Sequence, residues 1–394
     1  MTVSKFLQAS PSGEFIPLIE PEIRGNEWKY VKECLETGWV SSAGSFVDLF
    51  ERMIARQCGC PHAVATVNGT AALHVALLVA GVQPDDEVLV STLTFIAPVN
   101  AIRYVGAWPV FVDAEPDYWQ MDPVGVVEFL EKGCRWHNGA LYNQLTGRRV
   151  TAVVPVHVLG HPVDLDPIMT AARKFGLKVI EDATEGLGAT YGGRPLGSIG
   201  DIGCLSFNGN KIITTGGGGM LVTSNEAWAQ KAKYLTTQSK DDPVEYIHQE
   251  IGYNYRLTNI QAAIGCAQME QLDAYVAAKR EIADRYSFAF RDIPGIVPMK
   301  QAPWARSTFW MYTVLIKEEE YGANSRHLLQ ALAAQKIQCR PLWQPIHQSP
   351  AHAISRAGEL PVSEQLSKEA LSLPCSVGLS RDAQQRVVDQ VCRR

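Results

Sequence analysis

From His62 to about residue 225, short apolar runs alternate with stretches whose apolar residues recur at helical spacing. "HAVATV" (62–67) reads as a strand and "TAALHVALLVAG" (70–81) as a helix closing at Gly81. "DEVLVSTLTF" (86–95) predicts a strand, "IAPVNAIRYVG" a helix and "WPVFVDAE" a strand. "DPVGVVEFLEKGC" predicts a helix with Asp122 as N-cap and Pro123 at its first position. "RRVTAVVPVHVLG" is a strand, and "LDPIMTAARKFG" a helix with Asp166 and Pro167 at its start. "LKVIEDAT", "IGCLSFN" and "GMLVTSN" are strands. This βαβ rhythm predicts an α/β fold: a mainly parallel sheet with helices on both faces, whose ligands collect at the carboxyl ends of the strands.

Past residue 250 the pattern changes. Residues 258–292 form one long helical stretch. A strand "STFWMYTVLIK", a helix through "SRHLLQALAAQ", the segment "IQCRPLW" and a closing helix near "RDAQQRVVDQVCRR" come after it. That predicts a large domain over 15–257 and a smaller carboxyl-terminal α+β domain over 258–394. The polar insert "RWHNGALYNQLTGRR" (135–149) reads as a surface excursion.

Composition narrows the classes. The 394 residues are 46% hydrophobic and 20% charged, with a formal net charge of -5. No basic stripe favours nucleic acid, and no apolar run is long enough for membrane insertion. The first residues, "MTVSKFLQASPSGEF", lack the apolar core of a secretory signal, so a cytoplasmic location is expected. Nine scattered cysteines, with no second pair beside Cys58 and Cys60, read as free thiols rather than a zinc site. His157 and His161 are spaced for a metal on a helix, but "PVHVLGHP" ends a strand where Gly and Pro block a helix. They read as loop histidines, and no metal is expected.

Candidate chemistry sits at strand ends. Asn68-Gly69-Thr70 ends one strand and opens a helix, where free amides and a hydroxyl make an anion site. Alone, it reads better as an ordinary turn capped by a threonine. No P-loop motif is present, and the run Gly216–Gly219 leads into a strand, the wrong context for a nucleotide loop. "VIEDATEG" ends another strand in Glu181-Asp182 and adds Glu185. An acid there is costly unless partnered. One of these acids caps the next segment, or Asp182 faces a cation such as a protonated pyridine. In "SFNGNKIITT", Lys211 lies between apolar runs with no helix to display it; partial burial or neighbouring cations would make it a neutral nucleophile. An anion-binding turn, an aromatic (Phe95), an Asp and Ser-x-x-x-x-Lys are together the parts of a pyridoxal 5'-phosphate site.

In this order the motifs "NGTAAL", "TFIAPVNAI", "PVHVLGHPVDLDPI", "VIEDATEGLGATYGGRPLGSIGDIGCLSFNGNKIITTGGGGMLVT" and "IGYNYRLTNIQAAIG" resemble the DegT/StrS sugar aminotransferases, pyridoxal-phosphate enzymes of the aspartate-aminotransferase fold (fold type I). The likeness runs from "IPLIEPEIRG" to "RPLWQPIHQSP". It implies Lys211 as Schiff-base lysine, Asp182 as partner of the ring nitrogen and Glu185 near the ring hydroxyl. It also implies Gly69, Thr70 and Ser206 at the phosphate, Phe95 stacked on the ring, and Asn254 reaching the phosphate of a neighbouring subunit. A homodimer with shared active sites is implied by that last point. Arg256, Arg340, Trp343 and His347 resemble substrate-side positions. One branch of the family replaces the lysine by histidine and dehydrates sugars. Lys211 is kept here, so transamination from glutamate, yielding 2-oxoglutarate, to a nucleotide sugar is expected. "SFNGNKIITTGGGGM" and the 135–149 insert resemble the subgroup aminating C4 of UDP-linked 4-keto-6-deoxy-N-acetylhexosamines, on the way to bacillosamine- or legionaminic-acid-type sugars. Relatives acting at C3 or C4 of dTDP- or GDP-linked sugars share most of these motifs, and some members have been linked to sensing without turnover.

Overall fold

In the computed structural model, which describes residues 13–242, 244–352, 355 and 358–393, the alternation becomes one large layered sheet. The amino-terminal stretch read for a secretory signal lies mostly outside the described residues. In chain order the first elements are α1 (Glu27–Thr37), α2 (Ser45–Cys58), β1 (His62–Thr66), α3 (Gly69–Val79), β2 (Glu87–Ser91), α4 (Ala97–Tyr104) and β3 (Trp108–Val112). Then come α5 (Pro123–Glu128), β4 (Cys134–His137), β5 (Ala140–Asn143), β6 (Arg149–Val154), α6 (Leu165–Lys174) and β7 (Lys178–Asp182). The short β8 (Thr190–Tyr191) and β9 (Arg194–Pro195) precede β10 (Ile202–Ser206), β11 (Gly219–Thr223) and α7 (Glu226–Thr236). The main order is β1-β11-β10-β7-β6-β2-β3. The pairs from β10 to β3 are parallel; β11 alone runs against its neighbours β1 and β10. Strands β2 and β11 are buried at every position, as expected of strands covered on both faces.

Local chemistry sets the element ends. Asp122 accepts from the Val124 amide, with Pro123 in the first turn, so α5 starts where the sequence predicts. α6 begins at Leu165 with Asp164 at the N-cap position, slightly earlier than the Asp166-Pro167 pair suggested. The 135–149 segment is not a loose excursion. It forms the β4–β5 hairpin, and β5 pairs antiparallel with the start of β6, extending the main sheet. Its polarity misled because the strands are short and half solvated.

The remainder is α8 (Asn259–Met269), α9 (Leu272–Phe290), β12 (Ile296–Pro298), β13 (Ala305–Arg306), β14 (Tyr312–Ile316), α10 (Glu318–Tyr321), α11 (Ser325–Ala334), β15 (Arg340–Pro341), α12 (Pro361–Glu369), β16 (Ala370–Leu373) and α13 (Arg381–Cys392). A four-stranded antiparallel sheet, β12-β14-β16-β15, organises it. The single long helix of the pattern is two helices broken at Glu270–Gln271. α8 opens with a reciprocal Thr258–Gln261 capping box and packs on α1 and α2. Lys279 of α9 is wholly buried and donates to the Cys375 carbonyl at 2.5 Å, fixing the helix to the chain after β16; burial pushes its amine down. All nine cysteines are free thiols.

Candidate active site

The pleat at the end of β7 decides what its two acids do, because adjacent side chains point to opposite faces. Glu181 turns inward. Its carboxylate accepts from the amides of Ile199 and Gly200 at 2.6 Å and Gly197 at 2.8 Å, and from His157 Nε2–H at 3.0 Å. Burial opposes its ionisation, but His157 and the glycine amides outweigh burial and hold the carboxyl below its usual range. Glu181 is therefore the acid that ties down the loop behind the strand. Asp182 turns the other way, accepts from the Thr184 amide at 3.1 Å and lies in the field of Lys211. Burial pushes its carboxyl up, against the pull of Thr184 and Lys211. Glu185 accepts from the Leu159 amide at 2.8 Å and sets its other oxygen 3.5 Å from Lys211 Nζ. Burial raises this carboxyl as well, with Lys211 the main opposing charge.

Lys211 sits in the turn after β10, its side chain 13% exposed. The charged groups facing it are the carboxylates of Glu185 and Asp182, not the cations expected from the sequence. Its ammonium lies 4.2 Å from the ring centroid of Trp310, whose indole N–H donates to the Asn210 carbonyl at 2.7 Å. In the sequence pattern Trp310 reads only as part of a strand. It is 100 residues from Asn210, and no spacing rule links the two.

The proposed phosphate seat is built from β1, α3, β10 and β11. Asn68, not a threonine, is the N-cap of α3: its side chain accepts from the Ala71 amide at 2.8 Å and its carbonyl from Ala72. The Gly69 and Thr70 amides take no acceptor among the described residues and head the helix. A Cβ on Gly69 would lie 2.9 Å from Ser206 Cβ and 3.1 Å from Thr184 Cγ2, so the sequence-predicted Gly69 and Ser206 do meet, with Thr184 as an unforeseen third wall. The missing side chain lets Ser206 and Thr184 close against the head of α3, beside the unpaired Gly69 and Thr70 amides, and amides at a helix start suit a phosphate group. Gly219 has a separate task. A Cβ there would stand 2.5 Å from the backbone of Asn68, and Gly218 forms a bridge with Asn68 at φ +127°. These glycines let β11 pass flush against the turn that heads α3.

The remaining expected residues have the following surroundings. Phe95 comes after β2, at the strand's carboxyl end, and is 56% exposed. Asn254 is exposed, while its neighbours Tyr253 and Tyr255 turn inward and stack at 5.0 Å beside His74. Arg256 is tied up structurally: its guanidinium meets Glu51 of α2 at 2.9 Å, and Glu51 also accepts from the Ala65 amide of β1. Through Glu51 this arginine joins the segment before α8 to α2 and to β1. Arg340 is exposed in β15, and Trp343 packs partly on the core. His347 bridges Thr92, at the end of β2, and Glu364 of α12, at 2.7 and 3.2 Å. It moors the 340–347 loop to the strand end near Phe95. The loop histidines are wholly buried. Val163 and Glu181 occupy the nitrogens of His157, and Pro162 and Ala302 those of His161.

Comparison with known proteins agrees with this geometry. The DegT/DnrJ/EryC1/StrS aminotransferase family model matches residues 21–392. The chain is 40% identical to the GDP-perosamine synthase of Caulobacter vibrioides over 380 residues, 95% of this chain and 98% of that one. It is 38% identical to the putative pyridoxal phosphate-dependent aminotransferase EpsN of Bacillus subtilis, over 95% of this chain and 94% of the relative. Among solved structures, a DegT DnrJ EryC1 StrS aminotransferase from Brucella abortus superimposes with a TM-score of 0.84 at 28% identity, covering 93% of this chain and 94% of that one. By the family match over residues 21–392 and by these relatives, this chain belongs to the DegT/DnrJ/EryC1/StrS aminotransferase family and is a pyridoxal-phosphate-dependent sugar aminotransferase.

Proposed function

We propose that the protein moves the amino group of glutamate to C4 of a GDP-linked 4-keto-6-deoxyhexose. The observation that carries the transamination is the seating of Lys211 between Glu185 and Trp310, with Asp182 in its field. The nucleotide is argued from likeness. The sequence motifs suggested a UDP-linked N-acetylhexosamine, whereas the 40% identity to a GDP-perosamine synthase favours the GDP-linked alternative.

When bound, pyridoxal phosphate supplies the carbonyl that carries the amine and the ring that stores an electron pair. Lys211 would anchor it, Asp182 would pair with its ring nitrogen, and Glu185 would lie by its ring hydroxyl. The Gly69 and Thr70 amides with Ser206 would hold its phosphate. Lys211 Nζ would also take and return the substrate proton as general base and acid. Asp182 would act as an anion toward that ring nitrogen; burial raises its carboxyl, and its two Thr184 contacts and the Lys211 charge oppose that. The outward Asn254 would complete the site of a second copy. Phe95, exposed just after β2, would stack on the cofactor ring.

A panel of GDP-, UDP- and dTDP-linked 4-keto-6-deoxy sugars with glutamate tests the substrate. The GDP-linked sugar should show kcat/KM higher by at least about tenfold, because its base and sugar contacts are then all met. Preference for the UDP-linked N-acetyl sugar would restore the motif-based reading. A protein that binds the cofactor yet aminates none of them would favour a regulatory role.

A further inference from the structure

We infer that Trp310 is a positioning residue that forms, with Glu185, the seat on which the Lys211 amine rests whenever it is not covalently engaged; this rests on the transaminase reading of Lys211.

Two contacts join Trp310 to the lysine. The face of its ring lies 4.2 Å from Nζ, and its N–H donates to the carbonyl of Asn210, the residue just before Lys211. The first holds the amine against the ring face, and the second fixes the backbone from which the side chain springs. On the opposite side, Glu185 Oε1 stands 3.5 Å from Nζ.

The two walls of the seat are built into one unit. Glu185 Oε2 accepts from the Leu159 amide at 2.8 Å. Leu159 lies in the left-handed region at φ 62°, unusual for an aliphatic residue, and Gly160 comes next at φ 82°. A Cβ on Gly160 would stand 2.8 Å from the Trp310 backbone nitrogen and 2.3 Å from Thr308 Oγ1. Thr308 N–H and Ser307 O–H both donate to the Gly160 carbonyl. The path Lys211–Glu185–Leu159–Gly160–Trp310–Lys211 therefore closes on itself. A tryptophan placed only to fill the core, at 3% exposure, would need neither the bond to Asn210 nor a cation over its face.

The consequence lies in the proton-transfer step. An amine that must leave and return needs a defined resting place, or it samples rotamers far from the substrate carbon. Replacing the indole should therefore lower kcat while leaving KM for glutamate nearly unchanged.

The test uses Trp310→Phe, which keeps a ring face but loses the N–H, and Trp310→Leu, which loses both. In cofactor-free protein, acylation of Lys211 by limiting acetic anhydride, then peptide mass spectrometry, reads the seat directly. At pH 8 labelling should rise about tenfold in Trp310→Leu and by less in Trp310→Phe, because the amine is no longer held between the ring face and Glu185. Thermal midpoints confirm that both variants fold, and with Trp310→Phe near native packing the order of the three rates still decides. In holoenzyme, kcat should fall in the same order at constant KM. Equal Lys211 labelling in all three proteins, or a change in KM alone, would overturn the seat. A wild-type protein that binds no pyridoxal phosphate would instead overturn the transaminase reading, leaving the labelling result to stand by itself.

Discussion

At the scale of single residues, two adjacent acids have opposite tasks. Glu181 is spent on three backbone amides and His157, and Asp182 is left facing the lysine. Asp182→Asn should still bind pyridoxal phosphate but lose at least about a hundredfold in kcat, because an amide cannot hold the ring nitrogen's proton. Initial-rate assays on cofactor-saturated protein measure this, and an unchanged kcat would make Asp182 structural. Lys211→Ala should lose the long-wave absorbance of the bound cofactor and its fixation by borohydride. Sequence made these residues legible because buried strand ends seldom carry acids, and because a lysine among apolar runs seldom lacks a task. It could not say which acid faced which way, since that depends on the pleat. Arg256 shows the converse: a motif position held its residue type, yet the neighbouring Glu51, far off in sequence, determines what its guanidinium meets.

At the scale of elements, the four-glycine run has divided labour. Gly219 touches the Asn68 backbone, whereas a Cβ on Gly217 would meet chiefly Gln261 Nε2 at 3.4 Å. Gly219→Ala should therefore destabilise the fold by about 1–3 kcal/mol and weaken cofactor binding, while Gly217→Ala stays near neutral. Denaturant unfolding and absorbance titration compare the two. The turn after β6 carries a pH dependence. Nδ1–H of His161 donates to the Pro162 carbonyl and Nε2 accepts from the Ala302 amide, so the ring is neutral in the fold. Burial, aided by His157 and opposed by the Pro162 bond, lowers it from 6.5 to about 4. The unfolded chain thus binds the extra proton first. Stability is unaffected by this group above pH 6.5 and falls as pH drops toward 4, by about 3 kcal/mol in total. Unfolding midpoints between pH 7 and 4 should fall less steeply in His161→Asn. Helix starts were readable from caps such as Asp122, but the hairpin at β4–β5 and the break at Glu270 depend on neighbours that periodicity does not report.

At the scale of the whole molecule, the sheet brings together at its strand ends the pieces the sequence scatters from Gly69 to Lys211. The parallel sheet was legible because each βα unit is local. Trp310 was not, because it arrives from the strand-forming region beyond α9, and only the folded chain sets it against Asn210. Among the described residues no helix is long and apolar enough to cross a membrane.

The central claim is that Lys211 drives an amino transfer in two separable halves. The most direct measurement is single-turnover release of 2-oxoglutarate from pyridoxal-phosphate-loaded protein given glutamate alone. About one equivalent per site should appear before any sugar is added, and none from Lys211→Ala, as a ping-pong reaction requires. Release that waits for the keto sugar, or that persists undiminished in Lys211→Ala, would contradict it.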